Sequence, residues 1–188
     1  GFDVRSLGDF FVRLQRNSRL YENNAPVYLR SHPLTLERIS DMQNRAQEVP
    51  YRQVVSSADF HLVRARLRAQ AGTPKEAVSE FETQLQEKKH ASPAAAHYGL
   101  AYALLRARDA AGAQREYDTL KALRISSPIV AGLAAEIRAA AGDLSGAHAI
   151  YRDALQNFPE SRALVYGYAE SLYVARAYDQ AVAFIEGR

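Results

Sequence analysis

The sequence contains no cysteine and no tryptophan, and one methionine among its 188 residues. The absence of cysteine excludes disulfide bonds, thiolate zinc sites and cysteine nucleophiles, and is compatible with a reducing or an oxidising compartment. No apolar run approaches the roughly 20 residues that span a bilayer, and residues 1–20 lack the core of a signal peptide. Composition, with no membrane span and no targeting signal, therefore leaves the compartment open.

An excess of charge of one sign is also lacking. Lys and Arg number 24 against 21 Asp and Glu, a net charge of +3. The densest basic run, residues 64–68, places successive arginines about 200° apart around a helix, so they do not form one stripe. We therefore expect no nucleic-acid partner.

Sequence motifs for catalysis are missing as well. The chain has no HExxH, no Gly-x-Ser-x-Gly and no glycine-rich phosphate loop. Four of the five histidines show no metal-ligand spacing and are interpreted as surface or packing residues: His61, His90, His97 and His148. We expect no catalytic residue and no cofactor in this chain by itself.

From about Ser57 onward the sequence repeats at intervals of 36, 34 and 34 residues. One set of small residues is Ala77, Ala113, Ala147 and Ala181, and another precedes it by twelve positions at Ala65, Ala101, Ala135 and Ala169. A large apolar residue follows each member of the first set, at Phe81, Tyr117, Tyr151 and Ile185. Gly72 and Gly142 are predicted turns inside their repeats.

This pattern resembles the tetratricopeptide repeat (TPR), a pair of antiparallel helices that bring small residues together and fill the gap to the next pair with an aromatic ring. It predicts an all-α fold, a TPR-like right-handed solenoid preceded by a short helical segment. Repeats are placed at about 58–91, 94–127, 128–161 and 162–188, the last one truncated, within a repeat region of 57–188. We expect the chain to be a fragment of a longer protein.

Residues 1–56 do not follow the repeat. Apolar residues at helical spacing predict one helix around Phe10 and Phe11 and a second through Leu36 and Ile39, joined by a polar loop. Such a pair of helices is too small to be a domain by itself. It is interpreted as the helical tail of a metallopeptidase domain that this chain does not contain.

That interpretation comes from a resemblance. The N-terminal segment resembles the end of the catalytic domain in HExxH zinc metallopeptidases with C-terminal TPR arrays. The resemblance is carried by Gly1-Phe2-Asp3, a helix with Phe10-Phe11, Ser31-His32-Pro33-Leu34-Thr35 and then Glu37-Arg38-Ile39. The resemblance implies a periplasmic zinc metalloendopeptidase as the parent protein. It also implies a role in quality control and assembly of outer-membrane beta-barrel proteins, with client polypeptide or the beta-barrel assembly machinery as partner.

The same resemblance assigns roles to two residues. His32 would lie over the active site of the parent and approach its zinc, but only where upstream ligands hold the metal. Arg38 would form a salt bridge or anchor the loop. A neutral imidazole can take the zinc position that catalytic water needs. The alternative is that a His before Pro is a turn residue whose ring bonds a nearby carbonyl.

The TPR register also predicts a protein-binding groove along the first helix of each repeat. Its candidate residues are Arg66, Tyr98, Tyr102, Leu105, Glu136, Tyr166, Glu170 and Tyr173. Tyrosine rings offer flat apolar faces with a polar tip, a surface suited to extended polypeptide, and Tyr98 and Tyr102 are the preferred contacts. The alternative is that some rings are core. A rival function for the whole chain is a free-standing TPR scaffold or assembly protein with no enzymatic domain.

Overall fold

A computed structural model of the chain describes residues 5–18, 36–49 and 55–188, and all regular structure in these ranges is α-helical. The expected all-α fold is confirmed. Contacts divide the chain into two compact units, Gly1–Val55 and Ser56–Arg188, called here the N-terminal body and the repeat body. No helix in the described ranges is both long and apolar enough to cross a membrane.

The N-terminal body has two described helices, α1 (Arg5–Ser18) and α2 (Leu36–Glu48), which pack against each other. Ile39 and Ala46, the fourth and eleventh residues of α2, are buried. Their spacing of seven residues puts them on one face of the helix. Residues 1–3 and the motif 31–35 with His32 lie outside the described residues, and so does the side chain of Arg38.

The repeat body consists of four helix pairs. They are α3 (Ala58–Gln70) with α4 (Pro74–Gln86), α5 (Pro93–Arg106) with α6 (Ala110–Ala122), α7 (Pro128–Ala140) with α8 (Leu144–Asn157), and α9 (Arg162–Val174) with α10 (Tyr178–Glu186). These are called pairs 1 to 4. The first helix of each pair also packs on the first helix of the next pair, which stacks the pairs into one array.

Helix starts in the repeat body are set by local sequence. Side chains of Ser, Thr or Asp accept a hydrogen bond from a backbone N–H of the first turn in α3 to α9, at Ser57, Thr73, Ser92, Asp109, Ser127, Asp143 and Ser161. Proline follows directly in α4, α5 and α7, where its missing N–H costs nothing.

The turn inside each pair has a residue with positive φ at the same repeat position. These residues are Gly72 (φ 64), Arg108 (φ 64), Gly142 (φ 86) and Arg176 (φ 60). A left-handed residue lets the chain leave the first helix and reverse direction. The two glycines adopt this conformation freely, whereas the two arginines adopt it against the steric preference of a residue with a Cβ.

The alanines of the repeat register form the contact between helices. Ala101, Ala113, Ala135 and Ala147 have no exposed surface. The aromatic residue of a second helix then packs on a glycine of the next pair: a Cβ on Gly99 would overlap the Phe81 ring, and a Cβ on Gly167 would lie 2.9 Å from Tyr151 Oη. Two core clusters result, one through pairs 1 to 3 and one through pairs 3 and 4.

Candidate functional site

Four side chains from three helix pairs meet along the first helices of the array. They are Arg66 of α3, Tyr98 and Tyr102 of α5 and Glu136 of α7, called here the Arg66 cluster. Each lies at a register position that the sequence assigned to the groove. The structure therefore brings these four predicted residues together.

Arg66 is the centre of this cluster. Its Nη2 donates to Glu136 Oε1 at 3.0 Å and its Nη1 donates to Tyr98 Oη at 3.4 Å. The guanidinium carbon lies 4.5 Å from the centroid of the Tyr102 ring, within the range of a cation–π contact. One side chain thus joins pair 1 to pair 2 and, across 70 residues of sequence, to pair 3.

A second contact joins pairs 1 and 3 directly. Ser127 Oγ, which caps α7, donates to Asp59 Oδ1 in the first turn of α3 at 2.7 Å. Because α3 and α7 contact each other, the surface of α5 between them is covered at this end of the array.

Burial controls the protonation of the cluster. Burial raises the pKa of Glu136, and the charge of Glu170 raises it further, although Arg66 pulls it down. Burial lowers the pKa of Arg66, but the Glu136 carboxylate and the hydrogen bond to Tyr98 raise it by more, so the guanidinium stays protonated. Burial also raises the pKa of Tyr98 to about 12. Tyr98 is therefore a neutral hydrogen-bonding group at physiological pH.

The expectation that Tyr98 contacts a client directly is wrong. Its side chain is fully buried, because Arg66 lies over its hydroxyl and its ring belongs to the first core cluster. Leu105 is half-buried and packs against the same cluster. Tyr102 is half-buried and holds Arg66 on its ring and Gln70 Nε2 on its hydroxyl at 3.2 Å. These residues shape the array from within.

The exposed part of the predicted groove lies on α9. Tyr166 is 70% exposed and Tyr173 is 65% exposed, and the exposed carboxylate of Glu170 lies between them on the helix. These three residues, called here the α9 stripe, follow i, i+4, i+7 spacing and so share one face. Among the described residues, no hydrogen bond or ion pair engages the Glu170 side chain.

The stripe continues onto the last helix. The rings of Tyr173 and Tyr178 are 5.3 Å apart, and Tyr178 is itself 51% exposed. α10 contributes no fully buried residue, and Val182 is also exposed. The exposed aromatic surface of α9 therefore continues onto α10 through the contact between Tyr173 and Tyr178.

Within the described ranges no group of three or more His, Asp or Glu side chains lies close enough to bind a metal ion. His97 Nδ1 lies 2.7 Å from Glu116 Oε2 in a half-buried pair between α5 and α6, which sequence reasoning did not anticipate. Two such ligands fall short of the three protein ligands of a catalytic zinc.

Comparison with known families supports the repeat architecture. Residues 138–187 match a family model described as tetratricopeptide repeat. The fold is a TPR-like solenoid. The TPR expectation drawn from the alanine register is thereby confirmed.

Curated relatives of the chain are proteases by name. The chain is 35% identical over 89 residues to the putative beta-barrel assembly-enhancing protease of Vibrio cholerae, which is 47% of this chain and 18% of that protein. It is 30% identical over 109 residues to the beta-barrel assembly-enhancing protease of Yersinia pestis, 57% of this chain and 22% of the relative. The protein of the same name from Escherichia coli is 38% identical over 66 residues, 35% of this chain and 13% of the relative.

The resemblance expected from the sequence is confirmed: the chain is similar to a TPR region of a beta-barrel assembly-enhancing protease. The chain spans less than a quarter of the length of these curated relatives.

Proposed function

We propose that this chain is the protein-binding TPR module of a periplasmic zinc metallopeptidase that takes part in the quality control and assembly of outer-membrane beta-barrel proteins. The observation that carries the proposal is the exposed α9 stripe, set in a TPR array similar to that of the named proteases. The relatives' name refers to beta-barrel assembly, which supports an outer-membrane beta-barrel client, and the proposed periplasmic location follows from that client.

The surface of the array fits an unfolded polypeptide. Tyr166 and Tyr173 expose most of their rings, and aromatic residues of this kind bury large apolar area at low entropic cost when they bind. A beta-barrel polypeptide before assembly exposes alternating apolar side chains along an extended chain. Those side chains would pack on the rings while the tyrosine hydroxyls satisfy backbone groups.

In this proposal the zinc ion is bound by the parent metallopeptidase. The described residues do not fit a zinc site, so no catalytic step is assigned to this chain. His32 and Arg38 remain predictions for the parent, because the His32 motif and the Arg38 side chain lie outside the described part of the chain.

Binding is tested with the 188-residue chain and a fluorescently labelled outer-membrane beta-barrel protein diluted from urea. Anisotropy should report binding to the wild type, weakened several-fold by Tyr166→Ala with Tyr173→Ala. A matched control, Phe60→Ala with Leu67→Ala, removes two apolar side chains of α3 that are 51% and 62% exposed. Equal loss in both double variants would indicate nonspecific adhesion and contradict the proposal.

The parent enzyme is tested by zinc content and casein hydrolysis of the native gene product beside this chain. We expect about one zinc and casein cleavage in the longer product alone. A gene product without zinc and without hydrolysis would favour the free-standing scaffold over the metallopeptidase.

A further inference from the structure

The Arg66 cluster is an internal example of cation binding by this array. A carboxylate from Glu136 and the face of Tyr102 hold one guanidinium, with the Tyr98 hydroxyl as a third contact. An arginine between an aromatic face and a carboxylate gains both a cation–π contact and a charge-assisted hydrogen bond.

The α9 stripe has the same chemical groups without an internal cation. Glu170 occupies in pair 4 the register position of Glu136 in pair 3, 34 residues later. Tyr166 precedes Glu170 by one helical turn, as Tyr98 precedes Tyr102 in pair 2. Arg66 bonds Glu136, whereas no cationic side chain of the described residues forms an ion pair with Glu170.

The charges around Glu170 also favour a cationic ligand. The charge of Glu170 reaches Glu136, so the two carboxylates share one region of the array. Among the described residues, Arg66 forms an ion pair with Glu136 and no Lys or Arg forms one with Glu170. The Glu170 carboxylate is exposed beside two exposed tyrosine rings.

We propose that Tyr166, Glu170 and Tyr173 form a site for an arginine or lysine side chain of a bound, extended polypeptide. The inference rests on the protein-binding function proposed above and names the chemistry that the array selects. The Glu170 carboxylate takes the cationic head, and the two rings pack on its aliphatic stem and on the neighbouring residues.

The dimensions of the stripe suit an extended segment. Seven residues of α-helix, from Tyr166 to Tyr173, rise about 10 Å. About three residues of extended polypeptide cover the same length. A cationic side chain in the middle of such a segment would meet Glu170, with its neighbours over the two rings.

The test uses two fluorescein-labelled peptides of alternating serine and valine, one with a central arginine and one with citrulline, its neutral isostere. The wild-type chain should bind the arginine peptide about fivefold to tenfold more tightly than the citrulline peptide. Glu170→Gln should bring the two dissociation constants together. Tyr166→Ala with Tyr173→Ala should weaken binding of both peptides.

Glu160→Gln is the matched control, since Glu160 is an exposed carboxylate just before α9 and outside the stripe. It should keep the preference for arginine. Equal binding of the two peptides by the wild type, or a preference that survives Glu170→Gln, would overturn the inference. So would stripe variants that abolish self-association of the chain, because the occupant would then be a second copy.

The two proposals fail differently in this experiment. If the unfolded beta-barrel protein binds but arginine and citrulline peptides bind alike, the protein-binding function stands and the cation site is wrong. If neither the peptides nor the unfolded protein binds, the protein-binding function is wrong and the cation site falls with it.

Discussion

Arg66 in α3 donates to Glu136 in α7 at 3.0 Å, although 70 residues separate them and a complete helix pair lies between. The contact brings the first and third pairs of the array together over the second. It covers Tyr98, which therefore serves as core although its register position predicts a binding residue. The stacking of pairs 1 to 3 is thus supported by a polar contact as well as by apolar packing.

Replacing Arg66 should destabilise the array. In Arg66→Met the Glu136 carboxylate keeps its half-buried place without a partner, which we expect to cost about 1–3 kcal/mol in the free energy of unfolding measured with urea. Arg68→Met is the control, since Arg68 and Glu80 form an exposed pair on the same helix pair, worth about 0.5 kcal/mol or less. Equal effects of the two substitutions would show that the Arg66 contact adds no more to stability than an exposed ion pair does.

The protonation of Glu136 predicts how stability depends on pH. Burial raises its pKa above the usual 4.5, so the unfolded state loses this proton at lower pH than the folded state does. The favourable contribution of Glu136 protonation to the free energy of unfolding is therefore fully present below pH 4.5 and is lost as pH rises through the folded-state pKa of Glu136. The wild type should lose stability relative to Glu136→Gln over that rise, measured by urea unfolding at a series of pH values.

Glu76 provides a comparison of opposite sign. Backbone and side-chain hydrogen bonds from Thr73 lower the pKa of Glu76 in the capping box of α4. The contribution of the Glu76 carboxylate to the free energy of unfolding is present above the ordinary pKa of the group and is lost as pH falls through its folded-state pKa. Wild type and Glu76→Gln should therefore diverge as pH rises, in favour of the wild type. For each Gln variant, the difference in free energy of unfolding from the wild type can be plotted against pH. If these differences at Glu136 and Glu76 changed with pH in the same direction, the opposite pKa shifts assigned to the two residues would be contradicted.

The repeat could be predicted from the sequence because its packing rule is local. Alanine at fixed intervals allows close helix approach, and those positions are buried at Ala101 and Ala135. Glycine marks only two of the four equivalent turns, at Gly72 and Gly142. At Arg108 and Arg176 the stacking of the pairs imposes the same left-handed turn on residues that carry no turn signal.

The binding surface could be predicted in part. Register places Tyr98 and Tyr166 on the same face, yet Tyr98 is buried and Tyr166 is 70% exposed. Tyr98 lies beneath the contact between Arg66 of pair 1 and Glu136 of pair 3, whereas Tyr166 belongs to pair 4, the last pair of the described array. Spacing along one helix predicts the face on which a side chain lies but not how deeply it is buried. The exposed tyrosine could therefore not be identified from the sequence.

Close packing between pairs 1 and 2 predicts a steric effect at Gly99. A Cβ there would overlap the ring of the buried Phe81, so Gly99→Ala should destabilise the chain by about 1–3 kcal/mol. Gly132→Ala is the control, because its Cβ would lie 3.7 Å from Leu164 Cδ2, an ordinary contact. The control should instead gain about 0.5–1 kcal/mol from reduced backbone entropy. A stabilising Gly99→Ala would mean that the ring can move aside.

The left-handed turn of pair 4 predicts a stabilising substitution. Arg176 has φ 60, where a residue with a Cβ meets steric repulsion, so Arg176→Gly should raise the free energy of unfolding by about 0.5–1 kcal/mol. Its neighbour Ala175 has φ −73, and Ala175→Gly should lower stability by about the same amount, because glycine there adds only unfolded-state entropy. Urea unfolding of the two single variants separates the effects. If Arg176→Gly also lowers stability, contacts of the arginine side chain outweigh the backbone term, and the turn of pair 4 is held by more than its conformation.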